Sequence, residues 1–177
     1  MKRLLLLRHA KSSWDDPGLA DFDRPLNARG RRAADLMGRH VAAAGLLPDR
    51  IVCSSAQRTR ATLAGLLPSM PHDMEIRLRR AIYEARPEAI LATVRADGGD
   101  ADTLMVIGHN PGLQETALAL LPGEETPGRR AIAAHFPTAA LAVLALDLAD
   151  WSAIAPQAGR LETFVWPKDL EAASDAS

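Results

Sequence analysis

Two arginines and two histidines in this chain have the chemistry to bind and transfer a phosphoryl group. Arg8 and His9 end a run of four leucines, while Arg58 and His109 each follow another apolar run within a few residues. An arginine side chain is planar and permanently charged, so it can bind two phosphate oxygens at once. A neutral imidazole can attack phosphorus when its other ring nitrogen donates to a backbone carbonyl. These residues predict a phosphoryl-binding site in which His9 or His109 could be the nucleophile.

The apolar runs LLLL, IVC and LMVI are predicted to be the strands that bring these side chains together. Short apolar runs without alternation are typical of strands buried on both faces, as in a parallel sheet covered by helices. Ligands of such sheets bind outside the carboxyl ends of the strands. We therefore expect the two arginines and two histidines to meet at that edge.

Helical patterns alternate with these strands and predict an α/β fold with helices on both faces of the sheet. The strongest pattern runs from Ala28 to about Ala44, with Asn27 as N-cap and Gly45 as the C-terminal stop. A second helix is predicted to carry Arg58 in its first turn, with Ser54 or Ser55 as its cap. Other predicted elements are strands at AALAVLAL, RLETFVW, Ile76–Leu78 and Ile82–Tyr83, and a helix at LQETALALL.

Length and composition predict one globular domain. The 177 residues are 47% hydrophobic and 24% charged, and we place the domain at 1–167 and a disordered polar tail at 168–177. A net charge of −1 gives no overall attraction to nucleic acid, and no apolar run suits a membrane span or a secretory signal. The single Cys53 excludes an internal disulfide. We expect a cytoplasmic protein with no nucleic-acid or membrane partner.

Four ordered motifs resemble the histidine phosphatase superfamily, which includes the phosphoglycerate mutases. LLLLRHAKS is similar to its R-H-G-type signature, RPLNARGRRAA to the segment after it, SSAQRTRAT to its S-x-x-x-R segment, and VIGHN to its second histidine. RHAKSSW, DFDRPLNARG, IYEA and GHNPGL are most similar to small SixA-type phosphohistidine phosphatases. The resemblance extends from Lys2 to Leu144 and departs from the family at Ala10, for glycine, and at Asn27, for serine or threonine.

This resemblance implies a phosphoglycerate mutase-like three-layer α/β/α sandwich with a mostly parallel central sheet. It also implies that His9 is the phosphorylated nucleophile, that Arg8, Arg58 and His109 bind the phosphate, and that Glu84 is the general acid. The short segment between Tyr83 and Thr103 leaves little room for the inserted helical lid of larger relatives, so we expect a minimal lid and an open site.

The activity implied is that of a phosphatase that needs no metal or cofactor and forms a phosphohistidine intermediate. Its expected substrate is phosphohistidine on a protein, because an open site can admit a side chain. The alternatives are a phosphatase of small esters, such as sugar or nucleotide-derived phosphates, and a non-catalytic phosphate-binding adaptor.

A cysteine nucleophile is a further alternative, because CSSAQRT resembles the loop of cysteine-dependent phosphatases. Only four residues separate Cys53 from Arg58, whereas that loop has five. Since Cys53 also continues an apolar run, we expect a buried, unreactive thiol.

Other polar residues have less specific patterns. Four aspartates after RHAKSSW could bind a cation but lack a calcium-loop pattern, and Lys11 and Ser12 could contact phosphate or solvent. Three histidines have no partner motif and are predicted to be structural or solvent-facing. The aspartates are Asp15, Asp16, Asp21 and Asp23, and the histidines are His40, His72 and His135.

Overall fold

The computed structural model describes residues 1–175, which form one six-stranded sheet flanked by helices. The strands are β1 (Lys2–Arg8), β2 (Arg50–Ser54), β3 (Glu75–Arg79), β4 (Thr103–Gly108), β5 (Leu141–Leu146) and β6 (Gly159–Val165). The helices are α1 (Ala28–Ala43), α2 (Gln57–Leu66), α3 (Pro87–Asp97), α4 (Gly112–Leu120), α5 (Pro127–Ala134) and α6 (Pro167–Asp175). Within residues 1–175, no helix combines the length and apolar character that crossing a membrane requires.

The sheet has the strand order β3-β2-β4-β1-β5-β6 and is mostly parallel. β5 runs antiparallel to both of its neighbours, β1 and β6, whereas the pairs β1–β4, β2–β4 and β2–β3 are parallel. The register pairs Arg8 with Gly108 and Cys53 with Ile107, so the carboxyl ends of β1, β2 and β4 are level. The residues that follow these three strands therefore meet at one edge, as the apolar runs predict.

The four leucines of β1 are buried on both faces of the sheet. Leu4 and Leu6 belong to the core cluster that includes Ile90 of α3 and Leu113 of α4. Leu5 and Leu7 lie in the opposite cluster, with side chains of α1 and α2. All four leucines are fully buried, which explains why the run shows no apolar–polar alternation. The expected α/β sandwich with helices on both faces is confirmed.

Helix α1 begins and ends as its sequence predicts. The side chain of Asn27 accepts a hydrogen bond from the backbone N–H of Gly30, which is the expected N-cap. At the other end Gly45 has φ +66, and the N–H of Leu46 donates to the carbonyl of Val41. This is a Schellman stop, which favours glycine because its central residue is left-handed.

Two local expectations are wrong. Helix α2 is preceded by Ala56, which makes no side-chain capping bond, rather than by a capping serine. The hydroxyl of Ser54 lies 2.8 Å from Nε2 of His109, so this side chain belongs to a tertiary contact. The strand expected at Ile82–Tyr83 is absent from the described structure, because Arg80–Ile82 form a 3-10 turn that buries Ile82 in the core.

The described part of the predicted polar tail, residues 168–175, lies within helix α6. Leu170 of this helix packs against the core cluster that contains Met37 of α1, a contact that the polar composition of the segment does not suggest. Residues 176 and 177 of the expected tail lie outside the described residues.

The segment between β3 and β4 forms part of the core layer. Ile90, Leu91 and Val94 of α3 are buried against the sheet side chains of β1 and β4. Helix α3 therefore covers one face of the sheet, and the short connections before and after it form only a minimal lid.

Candidate active site

The backbone of His9 forms hydrogen bonds to the chain segments on both sides of it. Its N–H donates to the carbonyl of Gly108 (3.0 Å), and its own carbonyl accepts from Ala139 (3.0 Å). The ring Nδ1 lies 2.8 Å from the carbonyl oxygen of Ala10. Because that oxygen can only accept, Nδ1 carries the proton and the lone pair is on Nε2.

The surroundings of His9 keep its imidazole neutral. Burial, together with the positive charges of Arg58, Arg8 and Arg24, lowers the pKa of His9 to about 3, while its bond to the Ala10 carbonyl acts in the opposite direction. A neutral ring at physiological pH has an available lone pair, which is the state required of a nitrogen nucleophile.

His109 faces His9 across the site. The two ring centroids are 5.3 Å apart, and the ring of Tyr83 lies edge-on to His109 with centroids 5.2 Å apart. Burial, together with the proximity of His9 and of the Arg58 guanidinium, lowers the pKa of His109 to about 3. Nε2 of His109 is bonded to the Ser54 hydroxyl, whereas its buried Nδ1 has no partner among the described residues. The ring therefore retains one free hydrogen-bonding atom.

Arg58 is held in the site by Asp21. The guanidinium, in the first turn of α2 as expected, donates from Nη1 to the backbone carbonyl of Asp21 (2.6 Å) and from Nη2 to its carboxylate (3.0 Å). Arg58 is only 2% exposed, and its Nε has no partner in the described structure. A buried guanidinium with an unsatisfied N–H is suited to bind an anion.

Asp21 connects several side chains around this edge of the sheet. Its carboxylate also accepts from the Tyr83 hydroxyl (2.6 Å) and from Nε (3.0 Å) and Nη2 (2.7 Å) of Arg24. These hydrogen bonds and the charge of Arg58 hold the pKa of Asp21 well below its usual range, although partial burial opposes them. Asp21, considered above as a cation ligand, is thus an ionised partner of two arginines.

Arg8 is positioned by the segment that leads into β5. Its Nη1 donates to the carbonyl of Phe136 (2.8 Å), and its Nε is buried without a partner in the described residues. The amide of Asn110 donates to the same carbonyl (3.0 Å), which places Asn110 beside Arg8.

A cavity of about 270 Å³ is lined by all five site residues that the sequence predicts. Its lining is Arg8, His9, Lys11, Ser12, Trp14, Arg24, Arg58, Glu84, His109, Asn110 and Thr138. A larger cavity, of about 620 Å³, lies along β6 and includes none of the five. The convergence of cationic and imidazole groups, rather than size, therefore identifies the smaller cavity as the candidate site.

Glu84 lies at the exposed side of this cavity. Its carboxylate is 3.7 Å from Nη2 of Arg58 and its side chain is 56% exposed. Its backbone is left-handed (φ 47), a conformation that costs energy for a residue other than glycine. The structure thus brings Glu84 to the site, and its role as general acid remains a prediction.

Sequence reasoning assigned no role to Arg24, Trp14 and Tyr83, and it considered Asp21 only as a cation ligand. Asp21 and Arg24 both lie in the DFDRPLNARG motif, and their three-residue spacing is compatible with the ion pair that they form. That spacing was the available signal, but nothing local indicates that Asp21 also reaches Arg58.

Cys53 is chemically unsuited to the site, and the other three histidines lie away from it. Burial raises the pKa of the Cys53 thiol to about 12, which is the opposite of what a thiolate nucleophile needs. Nε2 of His72 is bonded to the carbonyl of Pro48, and neither His40 nor His135 lines the cavity. Among the described residues, no group of three or more His, Cys, Asp or Glu side chains is arranged to hold a metal ion.

Comparison with known proteins agrees with this architecture. A model of the histidine phosphatase superfamily (branch 1) matches residues 4–90. An uncharacterised protein of Mycobacterium tuberculosis is 34% identical over 166 residues. The match covers 92% of this chain and 100% of that protein. A crystal structure of a candidate phosphohistidine phosphatase SixA from Agrobacterium tumefaciens has a TM-score of 0.76 and 32% identity, covering 94% of this chain and 98% of that one.

A second solved structure, of a candidate SixA phosphohistidine phosphatase from Nakamurella multipartitia, gives a TM-score of 0.82 at 31% identity and covers 94% of this chain and 96% of that one. These similarities extend over almost the whole of both chains. The chain belongs to the histidine phosphatase superfamily, and its phosphoglycerate mutase-like fold is confirmed.

The two buried neutral histidines make stability depend on pH in a defined direction. Between about pH 6.5 and about pH 3, His9 and His109 bind protons in the unfolded chain but not in the folded one, because their folded pKa values are lowered to about 3. The free energy of unfolding should therefore fall as the pH falls, by up to about 1.4 kcal/mol per pH unit for each histidine.

Urea denaturation between pH 6 and 4.5 tests this expectation. The His9→Asn, His109→Gln double variant should show a shallower slope of unfolding free energy against pH than the wild type. Carboxylates such as Asp21, whose lowered pKa stabilises the fold above pH ~4, contribute equally to both proteins. Equal slopes would mean that the two rings are not neutral in the folded state.

Proposed function

We propose that this protein is a phosphatase that removes the phosphoryl group from phosphohistidine on proteins through a His9-phosphoryl intermediate. The proposal rests on one observation above all: Nδ1 of His9 donates to the carbonyl of Ala10, which leaves the Nε2 lone pair free in a cavity lined with arginines. A nitrogen nucleophile beside permanent cations is what attack on a phosphoryl anion requires.

In the first step Nε2 of His9 attacks phosphorus in line with the leaving group. A bond forms between Nε2 and phosphorus as the bond between phosphorus and the substrate nitrogen breaks. Arg8 and Arg58 stabilise the negative charge spread over the three equatorial oxygens, and His109 adds a hydrogen bond. The departing imidazole nitrogen takes a proton, for which we assign Glu84 as the donor because its carboxyl group lines the cavity.

In the second step water attacks the phosphoryl group on His9. The bond between phosphorus and Nε2 breaks, its electron pair returns to the ring, and inorganic phosphate leaves. Glu84, ionised after the first step, accepts a proton from the attacking water. The enzyme therefore returns to its starting state without a metal or cofactor in either step.

A protein-borne substrate is favoured by the form of the cavity. About 270 Å³ of space, a minimal lid and an exposed Glu84 leave the entrance accessible to a side chain on a folded surface. The similarity to two candidate phosphohistidine phosphatases supports the same substrate class. Hydrolysis of a small phosphate ester is the second candidate, because the same cationic groups would bind any phosphoryl group.

A panel of phosphodonors tests the proposal. The purified protein should hydrolyse a phosphohistidine peptide with a kcat/KM at least about tenfold above that for the same peptide carrying phosphoserine, a sugar phosphate or a nucleoside monophosphate. Preference for one of the small esters would favour the second candidate. Binding of inorganic phosphate without turnover of any donor would instead indicate an adaptor.

A further inference from the structure

The indole of Trp14 is 71% exposed although it lines the same cavity as His9. Tryptophan is highly buried on average because its ring presents a large apolar surface to water. Exposed aromatic rings beside an anion-binding cavity are suited to contact a ligand that enters it. The exposure of Trp14 therefore requires an explanation that the phosphate-binding groups do not give.

One face of the Trp14 ring is supported from within the protein. Cζ of Arg24 lies 3.7 Å from the ring centroid, in a cation–π contact. The same guanidinium is fixed by the carboxylate of Asp21 and by the hydroxyl of Ser12 (2.6 Å), and Arg24 is only 8% exposed. The ring is thus held on a rigid base, and the surface that it exposes to solvent is available to a second planar group.

In the proposed reaction the leaving group lies on the side of the cavity where Trp14 is exposed. His9, His109 and Arg58 are 7%, 4% and 2% exposed, so they form the floor, whereas Trp14 and Glu84 form the exposed rim. In an in-line displacement the leaving group lies opposite the nucleophile. A phosphoryl group attacked by His9 from the floor must therefore carry its leaving group toward the rim.

We propose that Trp14, supported by Arg24, is a stacking platform for the imidazole ring of the phosphorylated histidine. This inference rests on the proposed function and identifies the residue that distinguishes an aromatic leaving group from an alkyl one. Aromatic side chains interact through offset or edge-to-face packing, whereas a serine β-carbon offers no such surface. Trp14 is therefore a specificity-determining residue for phosphohistidine.

The test compares two peptides of one sequence that carry phosphohistidine or phosphoserine. Trp14→Ala should lower the ratio of their kcat/KM values, phosphohistidine over phosphoserine, by roughly five- to tenfold, mainly through a higher KM for the phosphohistidine peptide. Trp14→Phe, which keeps a planar ring, should restore most of the ratio. Leu19→Ala is the matched control, because Leu19 is an exposed apolar residue of the same loop region and does not line the cavity.

The possible outcomes separate this inference from the function on which it rests. An unchanged ratio in Trp14→Ala, with the wild type active on phosphohistidine, would overturn the platform and leave the proposed function intact. An equal loss on both peptides would also overturn it, since that result indicates a general structural role. A wild type that hydrolyses phosphoserine but not phosphohistidine would overturn both.

Discussion

Replacing His9 with asparagine should reduce turnover of a phosphohistidine peptide by roughly 10⁴–10⁶-fold, the scale of loss when an enzyme loses its nucleophile. Asparagine can still donate from its amide to the Ala10 carbonyl, so it reproduces the hydrogen bond of Nδ1 (2.8 Å). It has no ring nitrogen with a lone pair to attack phosphorus. The substitution therefore removes the reacting atom and preserves the local packing.

The phosphorylated intermediate provides a second measurement. Wild-type protein mixed with a labelled donor and quenched in alkali should retain label on His9, and the asparagine variant should retain none. His135→Asn is the matched control, because His135 is exposed and lies outside the cavity. Turnover that persists in His9→Asn would contradict the double displacement.

Replacing Arg58 with lysine should lower kcat/KM by about 10²–10³-fold, the effect of removing one electrostatic donor from a transition-state site. Arg58 uses two nitrogens on Asp21, at 2.6 Å and 3.0 Å, and has a third N–H without a partner in the described structure. A lysine has a single nitrogen and cannot hold Asp21 and a phosphoryl oxygen in the same planar arrangement. Because lysine keeps the positive charge, a loss of kcat/KM in this variant would show that the planar arrangement of the guanidinium nitrogens is required.

Arg60→Lys controls for the loss of an arginine from the same helix. Arg60 is exposed on α2, where its guanidinium bonds to Gln57 (2.7 Å), and about 200° of helical rotation separates it from Arg58. We expect wild-type kinetics for this variant, and thermal melting should show that both lysine variants remain folded. Unchanged kinetics in Arg58→Lys would place Arg58 outside the reaction.

Much of the architecture could be predicted because its signals are local. The uninterrupted leucines of β1 indicate a strand with two buried faces, and that strand places His9 at the carboxyl edge of the sheet. Asn27 and Gly45 mark the ends of α1 through capping chemistry that involves only neighbouring residues. The order of strands and helices then brings Arg58 and His109 to the same edge.

The features that sequence reasoning missed depend on contacts between distant residues. Ser54 was one of two serines expected to cap α2, but its hydroxyl bonds to a histidine 55 residues away. Asp21 and Tyr83, 62 residues apart, meet in a hydrogen bond of 2.6 Å that no local pattern encodes. Such pairings follow from how loops fold over the finished sheet, so they become visible only in three dimensions.

β1 is a central strand of the sheet, and its position holds His9 more firmly than the backbone of Trp14 is held. His9 lies between Gly108 and Ala139, bonded to both, so freeing its backbone would require opening the sheet on both sides. Hydrogen exchange at the His9 amide should therefore be as slow as global unfolding. The backbone of Trp14 forms no such hydrogen bonds in the described structure. Under the proposed function, sequence changes at this position would therefore alter which donors are accepted while His9 keeps its place.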